Sequence, residues 1–371
     1  MNRWNSAFLD VVRLGAALLV FLGHLNYDYL IGPFWGGISF SRFGMDAVIV
    51  FFVLSGFVIS HVVKVKENSP SIYLSTRVSR LLSISLPALF ITIICDQIGL
   101  QFNPDFYAHA WWYQDDHWIF RFVSNFFLIN QLWFLDIRPF SNGPFWSLGY
   151  EIWFYIFFAG YVFSGSRRWL VTIVLFILAG PRVLILYPLW LLGVHLYNKC
   201  NDFDIGIFAS VLLAFIPIVL WCYFRLYGTD DLITHAVFGN YYEGSKRLLG
   251  RSYNFLDAYL VGVLVYCHFF GVSNLLKKLP DRLIPNRIYQ SIRYLASGTF
   301  AIYATHYPII HLIAAINPYG KNYYLVFIPL LVAFLVTSIG ERFRMKIYNL
   351  LLLRSLENLS FVKNLLRGNF K

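Results

Sequence analysis

Charge is scarce in this chain. Of 371 residues only 13% are Asp, Glu, Lys or Arg, whereas soluble domains carry about a quarter. A surface that poor in charge does not hold a folded chain of this size in water. Cysteine is sparse too. Cys95, Cys200, Cys222 and Cys267 stand apart in or beside apolar runs and form no C-x-x-C pair. That excludes a disulfide framework and gives no zinc pattern, so no metal site is expected. Acidic residues are the minority sign, 19 against 30 Lys and Arg, for a net charge of +11. No internal repeat, parallel or inverted, is visible, which counts against the common transporter folds.

Apolar residues make up 58% of the chain, aromatics 20%, and the mean hydropathy is +0.60. Disorder is excluded, because that much apolar surface would be left in water. A soluble core with one anchor does not reach this value over the whole length. The remaining class is an all-α, polytopic integral membrane protein. About ten spans of roughly 20 residues would use a little over half the chain. They leave loops but no sizeable soluble domain. The excess of Lys and Arg then reads as helix-end anchoring on the cytoplasmic side, not as a nucleic-acid surface.

Apolar length, breakers and basic loops place the spans near 8–30, 44–63, 81–98, 145–163, 169–179, 183–197, 205–223, 255–270, 300–316 and 323–339. The first carries Asp10 and Arg13 and lacks a small-x-small cleavage site, so it reads as a retained span. The stretch 119–135, with Arg121, Asn125 and Gln131, is marginal. If it crossed, Arg167, Arg168 and the later basic clusters would fall outside. If it is re-entrant or lies on the surface, 20 of the 30 Lys and Arg fall inside. The positive-inside rule selects the second arrangement, with both termini cytoplasmic. A single domain is expected over 1–371, with a core at 8–340 and a basic cytoplasmic tail at 341–371.

Ionisable groups inside a span are costly and point to function. The first span holds Arg13 and His24. Eleven steps of 100° bring them within about 20° on one face, roughly 16 Å apart along the axis. Singly, Arg13 could snorkel to the interface and His24 could pack against a neighbour. Span 2 contains FFVLSGFVIS, whose Ser55–Gly56 pair admits close helix approach. Asp46 sits at its outer end. Arg77 and Arg80 lie one turn apart before span 3, where two guanidiniums suit a phosphate-bearing ligand or serve as anchors. Glu151 lies inside span 4, with Ser147 and Tyr155 one turn away on its face. Span 9 carries Tyr303, His306 and Pro308. A loop at 224–254 is long, Tyr-rich and matched to no role.

The order of these features resembles the acyltransferase 3 family of bacterial multi-pass membrane acyltransferases, over nearly the whole chain. The resemblance rests on Arg13 and His24 with ten residues between them, Gly44-Met45-Asp46 before FFVLSGFVIS, Arg77-x-x-Arg80, WSLGYEIWFY with Glu151, Tyr303-x-x-His306-x-Pro308 and Gly340-Glu341-Arg342-Phe343. It implies transfer of an acyl group, usually acetyl from acetyl-CoA, to a hydroxyl of a surface or exported polysaccharide or glycolipid. It also implies residence in the bacterial cytoplasmic (inner) membrane, acyl-CoA as donor substrate and no bound cofactor. Expected roles follow. His24 is general base or transient acyl carrier. Glu151 orients its imidazole or stabilises the cation. Arg13 counts with His24 and Glu151 as catalytic and, together with Arg77 and Arg80, receives the donor, with Asp46, Ser55, Ser147, Tyr303 and His306 supporting. The alternative, a transporter or flippase for a sugar or lipid-linked sugar, would also place ionisable groups in spans.

Overall fold

Apolar runs become helices here because a lipid-facing backbone must satisfy its own hydrogen bonds. The computed structural model describes residues 1–27, 30–32, 40, 43–108, 110–227, 232–317 and 324–366, with side chains as far as Leu352 other than that of Glu341. Among the described residues there are fifteen α-helices and no strand. They are α1 (Arg3–Leu25), α2 (Gly44–Val65), α3 (Pro70–Phe102), α4 (Pro104–Ala108), α5 (Trp118–Phe126), α6 (Trp146–Phe163), α7 (Arg168–Ala179) and α8 (Pro181–Asp202). After them come α9 (Ile207–Leu226), α10 (Leu232–Phe238), α11 (Tyr242–Leu249), α12 (Phe255–Lys277), α13 (Asn286–Ser297), α14 (Thr299–Ile316) and α15 (Tyr324–Leu366).

Eight of these, α1, α2, α3, α8, α9, α12, α14 and α15, are long and apolar enough to cross a membrane. The chain is thus an all-α polytopic membrane protein. The two expected spans that fall short are α6 and α7. Helix α7 has 12 residues, a rise of about 18 Å against a hydrocarbon core near 30 Å. Helix α6 carries Glu151 and several Trp and Tyr, which lower its hydropathy, and it begins inside the protein. The described parts of span 10 and of the expected tail form one continuous helix, α15.

The marginal stretch 119–135 does not cross as a helix. Only its first part is helical, in the nine-residue α5. Irregular backbone then runs into the interior. Leu128, Trp133 and Phe140 take left-handed φ near 53–55°. Asn130, Gln131, Ser141 and Asn142 are at most 1% exposed. Asn142 Nδ2 donates to the Ala304 carbonyl at 2.9 Å and to Thr92 Oγ1 at 3.1 Å, both within spanning helices. Irregular backbone at membrane depth persists only where protein surrounds it, and this segment meets that condition.

The helices form one bundle with two distinct ends. At one end the start of α1 meets the α12–α13 connection, where Trp4 Nε1 donates to Pro280 O at 3.0 Å. Lys64 at the end of α2 reaches Asn198 of α8 at 2.7 Å there. At the opposite end Asn103 meets the Ala315 carbonyl, and Arg182 Nε donates to Leu248 O at 2.9 Å. Helices α2 and α8 touch backbone to backbone. A Cβ on Gly56 would stand 2.0 Å from the Trp190 carbonyl oxygen, and one on Gly193 1.9 Å from that of Val53. Small residues permit this approach where no hydrophobic force drives helices together. Bulky residues fill the centre (Tyr150, Phe154, Trp190), while Phe90, Ile94, Trp169, Phe208 and Val219 face outward, as a lipid-facing surface requires.

Candidate active site

Two cavities open from opposite ends of the bundle and share Val48 and Tyr303 in their walls. The first, of about 80 Å³, lies toward the end that holds Lys64 and is lined by Arg13, Ser55, Arg77, Arg80, Ser147 and Glu151. The helical face predicted for Arg77 and Arg80 is present, because α3 already runs from Pro70. Arg80 is half-buried, and its guanidinium has no hydrogen bond among the described residues. Arg77 is different. Its Nη2 donates to Glu67 Oε1 at 2.5 Å, with both side chains at most 7% exposed. Arg13 pairs with Asp10 one turn earlier at 3.3 Å.

Glu151 faces this first cavity. Its Oε1 accepts from the Tyr155 hydroxyl and from Ser55 Oγ at 3.3 Å. Ser55 in turn accepts from Trp190 Nε1 at 3.1 Å. The carboxylate is thereby held on α6 against α2 and α8. It does not touch His24, so the expected orienting role of Glu151 toward that imidazole is corrected. One turn back along α6, Ser147 meets Tyr303. The Tyr303 hydroxyl donates to Pro144 O at 2.9 Å, so Ser147 Oγ must supply the hydrogen in its 2.7 Å contact with Tyr303.

The second cavity, of about 260 Å³, has His24 in its wall, with Tyr27, Trp111, Trp146 and Tyr307 around it. The group that orients His24 is His306. His24 Nδ1 lies 2.8 Å from His306 Nε2, and His306 Nδ1 lies 2.8 Å from the Ile302 carbonyl. A carbonyl only accepts, so His306 carries its hydrogen on Nδ1. In the neutral ring Nε2 is then a bare acceptor. His24 must donate from Nδ1, which leaves the lone pair on His24 Nε2. The tautomer needed for a base is therefore fixed by one backbone carbonyl two rings away. Pro308 sits in the same helix, and α14 remains continuous from Thr299 to Ile316.

Asp46 stands apart from both cavities. It accepts from Arg225 Nε at 2.6 Å and Trp221 Nε1 at 2.8 Å, and it clamps α2 to α9 through a bidentate pair. These bonds give Asp46 a structural role in joining α2 to α9. The sequence reading missed Arg138 and Arg251, which line the His24 cavity. Arg251, Tyr253 and Asn254 come from the loop given no role, and Arg138 from the irregular segment. Burial, and then the charge of Arg251, pull the Arg138 guanidinium below its ordinary range. Among the described residues no group of three His, Cys, Asp or Glu stands where it could hold a metal ion.

The chain is similar over most of its length to known proteins. A family described as an acyltransferase domain matches residues 6–340. The chain belongs to the acyltransferase 3 family. The chain is also 22% identical over 369 residues to the peptidoglycan O-acetyltransferase OatA of Listeria monocytogenes. That alignment covers 90% of this chain and 54% of the relative, so the chain spans about half the relative's length. No solved structure matches it.

Proposed function

We propose that this acyltransferase moves an acetyl group from acetyl-CoA to a sugar hydroxyl of a cell-surface or exported polysaccharide or glycolipid. The arginine cavity takes the donor, and the His24 cavity takes the sugar. The reading rests above all on the His24–His306 pair. It leaves a neutral imidazole lone pair facing a cavity whose wall, at Tyr303, is also the wall of the arginine cavity. The end carrying Lys64 and Trp4 faces the cytoplasm, where acyl-CoA is made, and the His24 end faces outward. Both termini are then cytoplasmic, in the bacterial inner membrane.

Arg80 holds donor phosphate oxygens by charge-assisted hydrogen bonds, with Arg13 and Arg77 adding charge to the same wall. His24 Nε2 takes the proton of the sugar hydroxyl as its oxygen attacks the thioester carbonyl. The carbon–sulfur bond breaks, the coenzyme A sulfur leaves, and the imidazolium returns the proton to it. His306 accepts the Nδ1 hydrogen throughout and steadies the cation as it forms. In the acyl-carrier variant, Nε2 itself attacks the thioester and the sugar oxygen later displaces the imidazole.

The test uses the purified full chain in lipid nanodiscs, with coenzyme A release and acetyl content of an added saccharide as readouts. His24→Ala should lower transfer by about 10²–10⁴-fold at unchanged thermal stability. Near-normal transfer by that variant would overturn the mechanism. Transport of the saccharide without thioester consumption would overturn the acyl-transfer assignment itself. Label retained on wild-type protein from labelled donor without acceptor, and absent in His24→Ala, selects the carrier route.

A further inference from the structure

The His24 cavity carries two guanidiniums that the chemistry above does not use. Arg251 has its Nε buried without a hydrogen-bond partner, and Asn254 Oδ1 on the same loop is likewise buried and unpartnered. The nearest carboxylate to Arg251, Asp136, is 3.9 Å away, beyond hydrogen-bond reach, and is itself engaged by Gln131 Nε2 at 3.0 Å. Arg138 makes a single long contact, Nη1 to Trp111 O at 3.5 Å. Two cations thus line one cavity, and among the described residues the one carboxylate paired with either of them is Asp136, at 3.9 Å from Arg251. A single carboxylate leaves this half-buried pair with one positive charge in excess, which a further anion would balance.

The loop is built to keep Arg251 there. Arg182 at the start of α8 donates to the carbonyls of Leu248 and Arg247 at 2.9 and 3.1 Å. Ser252, fully buried, donates to Arg182 O at 2.8 Å and meets the Tyr150 hydroxyl at 2.9 Å. Gly250 turns with φ of 55° directly over the Arg182 guanidinium, so no side chain fits at that turn. The backbone on both sides of Arg251 is thus anchored, and its side chain starts from a fixed point on the cavity wall. Aromatic faces complete the wall: Tyr27, Trp111 and Trp146 offer flat surfaces of the kind that stack against the CH faces of sugar rings.

From this juxtaposition we infer that the His24 cavity selects an anionic saccharide, whose carboxylate or phosphate sits between Arg138 and Arg251 while a hydroxyl of the same saccharide reaches His24. This rests on the reading of that cavity as the acceptor site. A uronic acid would carry the charge on the sugar ring. A lipid-linked sugar would carry it on the phosphate at the anomeric carbon. Both present oxygens to the paired guanidiniums.

The experiment is donor-free binding to the full chain in zwitterionic nanodiscs, followed calorimetrically. The probes are digalacturonate, galactose 1-phosphate and neutral galactobiose. At least one anionic probe should bind about tenfold or more tighter than galactobiose, with the advantage shrinking as salt rises. Which anionic probe leads identifies the source of the charge. The advantage should vanish in Arg138→Gln/Arg251→Gln and return in large part in Arg138→Lys/Arg251→Lys. Coenzyme A binding, made in the other cavity, should be unchanged in both and reports that they are folded. Equal affinity for charged and neutral probes, no binding of either anionic probe, or an advantage that survives in the double Gln variant would overturn the inference. Acetylation of neutral saccharides without charge preference would refute this inference and leave acyl transfer intact. Arginine-dependent anion binding without thioester turnover would do the reverse.

Discussion

If His306 acts only by accepting a hydrogen from His24, its replacements should rank by geometry and not by size. The acceptor atom is Nε2, three bonds out from Cβ. A glutamine places Oε1 at the same reach. An asparagine places Oδ1 where Nδ1 stands, against the helix's own carbonyl at Ile302, and leaves the Nε2 position empty. A phenylalanine fills the volume but accepts nothing. His306 is fully buried, so an orphaned His24 N–H there costs about 1–3 kcal/mol. Carried into the rate, that is about 5- to 150-fold. Hence His306→Phe and His306→Asn should lose about 10–10²-fold in kcat, and His306→Gln should come within about fivefold of wild type. The KM for acetyl-CoA should hold in all three, because the donor wall is the other cavity. The assay is thiol release by nanodisc-embedded protein with saturating saccharide. Asn matching Gln, or Phe matching wild type, would refute the positioning role. Gln as inactive as His24→Ala would show that His306 moves a proton itself.

Two further expectations concern the donor wall and the orientation. Arg80→Ala should weaken coenzyme A binding about tenfold with little loss of stability, since its guanidinium has no protein partner to orphan. Arg77→Ala should chiefly destabilise the protein, by about 3–5 kcal/mol, because it strands the buried Glu67 carboxylate; a thermal melt beside a binding isotherm separates the two, and equal behaviour of both variants would contradict the assignment. For orientation, cysteines at exposed Asp115 and Gly244 should react with an impermeant maleimide on intact cells, and one at exposed Asp204 only after permeabilisation. Position 142 is useless as a reporter, because Asn142 is fully buried. Reaction of position 204 from outside would invert the proposed topology.

What the sequence made legible was what local periodicity carries. The shared face of Arg13 and His24 follows from 100° per residue, and α1 holds both. Yet the face reaches two different cavities, a separation that no periodicity reports. The pairing of Arg77 with Arg80 was legible as spacing. The engagement of Arg77 by Glu67 was not, because it depends on how the α2–α3 connection folds back. Asn130, Gln131, Ser141 and Asn142 offered a readable sign: so many amides and hydroxyls in a marginally apolar stretch are better satisfied inside protein than against lipid.

Long-range partners were invisible for a common reason. His306 lies 282 residues from His24 and Arg225 lies 179 from Asp46; a single sequence states that each is a costly group in a span without saying which other it meets. Cost alone therefore did not reveal the clamp that holds Asp46. A buried carboxylate is tolerated once a guanidinium grips it at both oxygens and an indole N–H adds a third bond, which accounts for its presence without a substrate. His24 differs in one observable respect. After His306 takes its Nδ1 hydrogen, a second nitrogen remains unengaged and borders a cavity. The discriminating property is the residual hydrogen-bonding capacity that faces open space, and burial or charge does not supply it. By that criterion His24, Arg80 and Arg251 stand out, and only the first two were recoverable from spacing. Arg251 sits in a loop whose path is set by the contacts of Arg182 with residues 247, 248 and 252, more than 60 positions away in the chain.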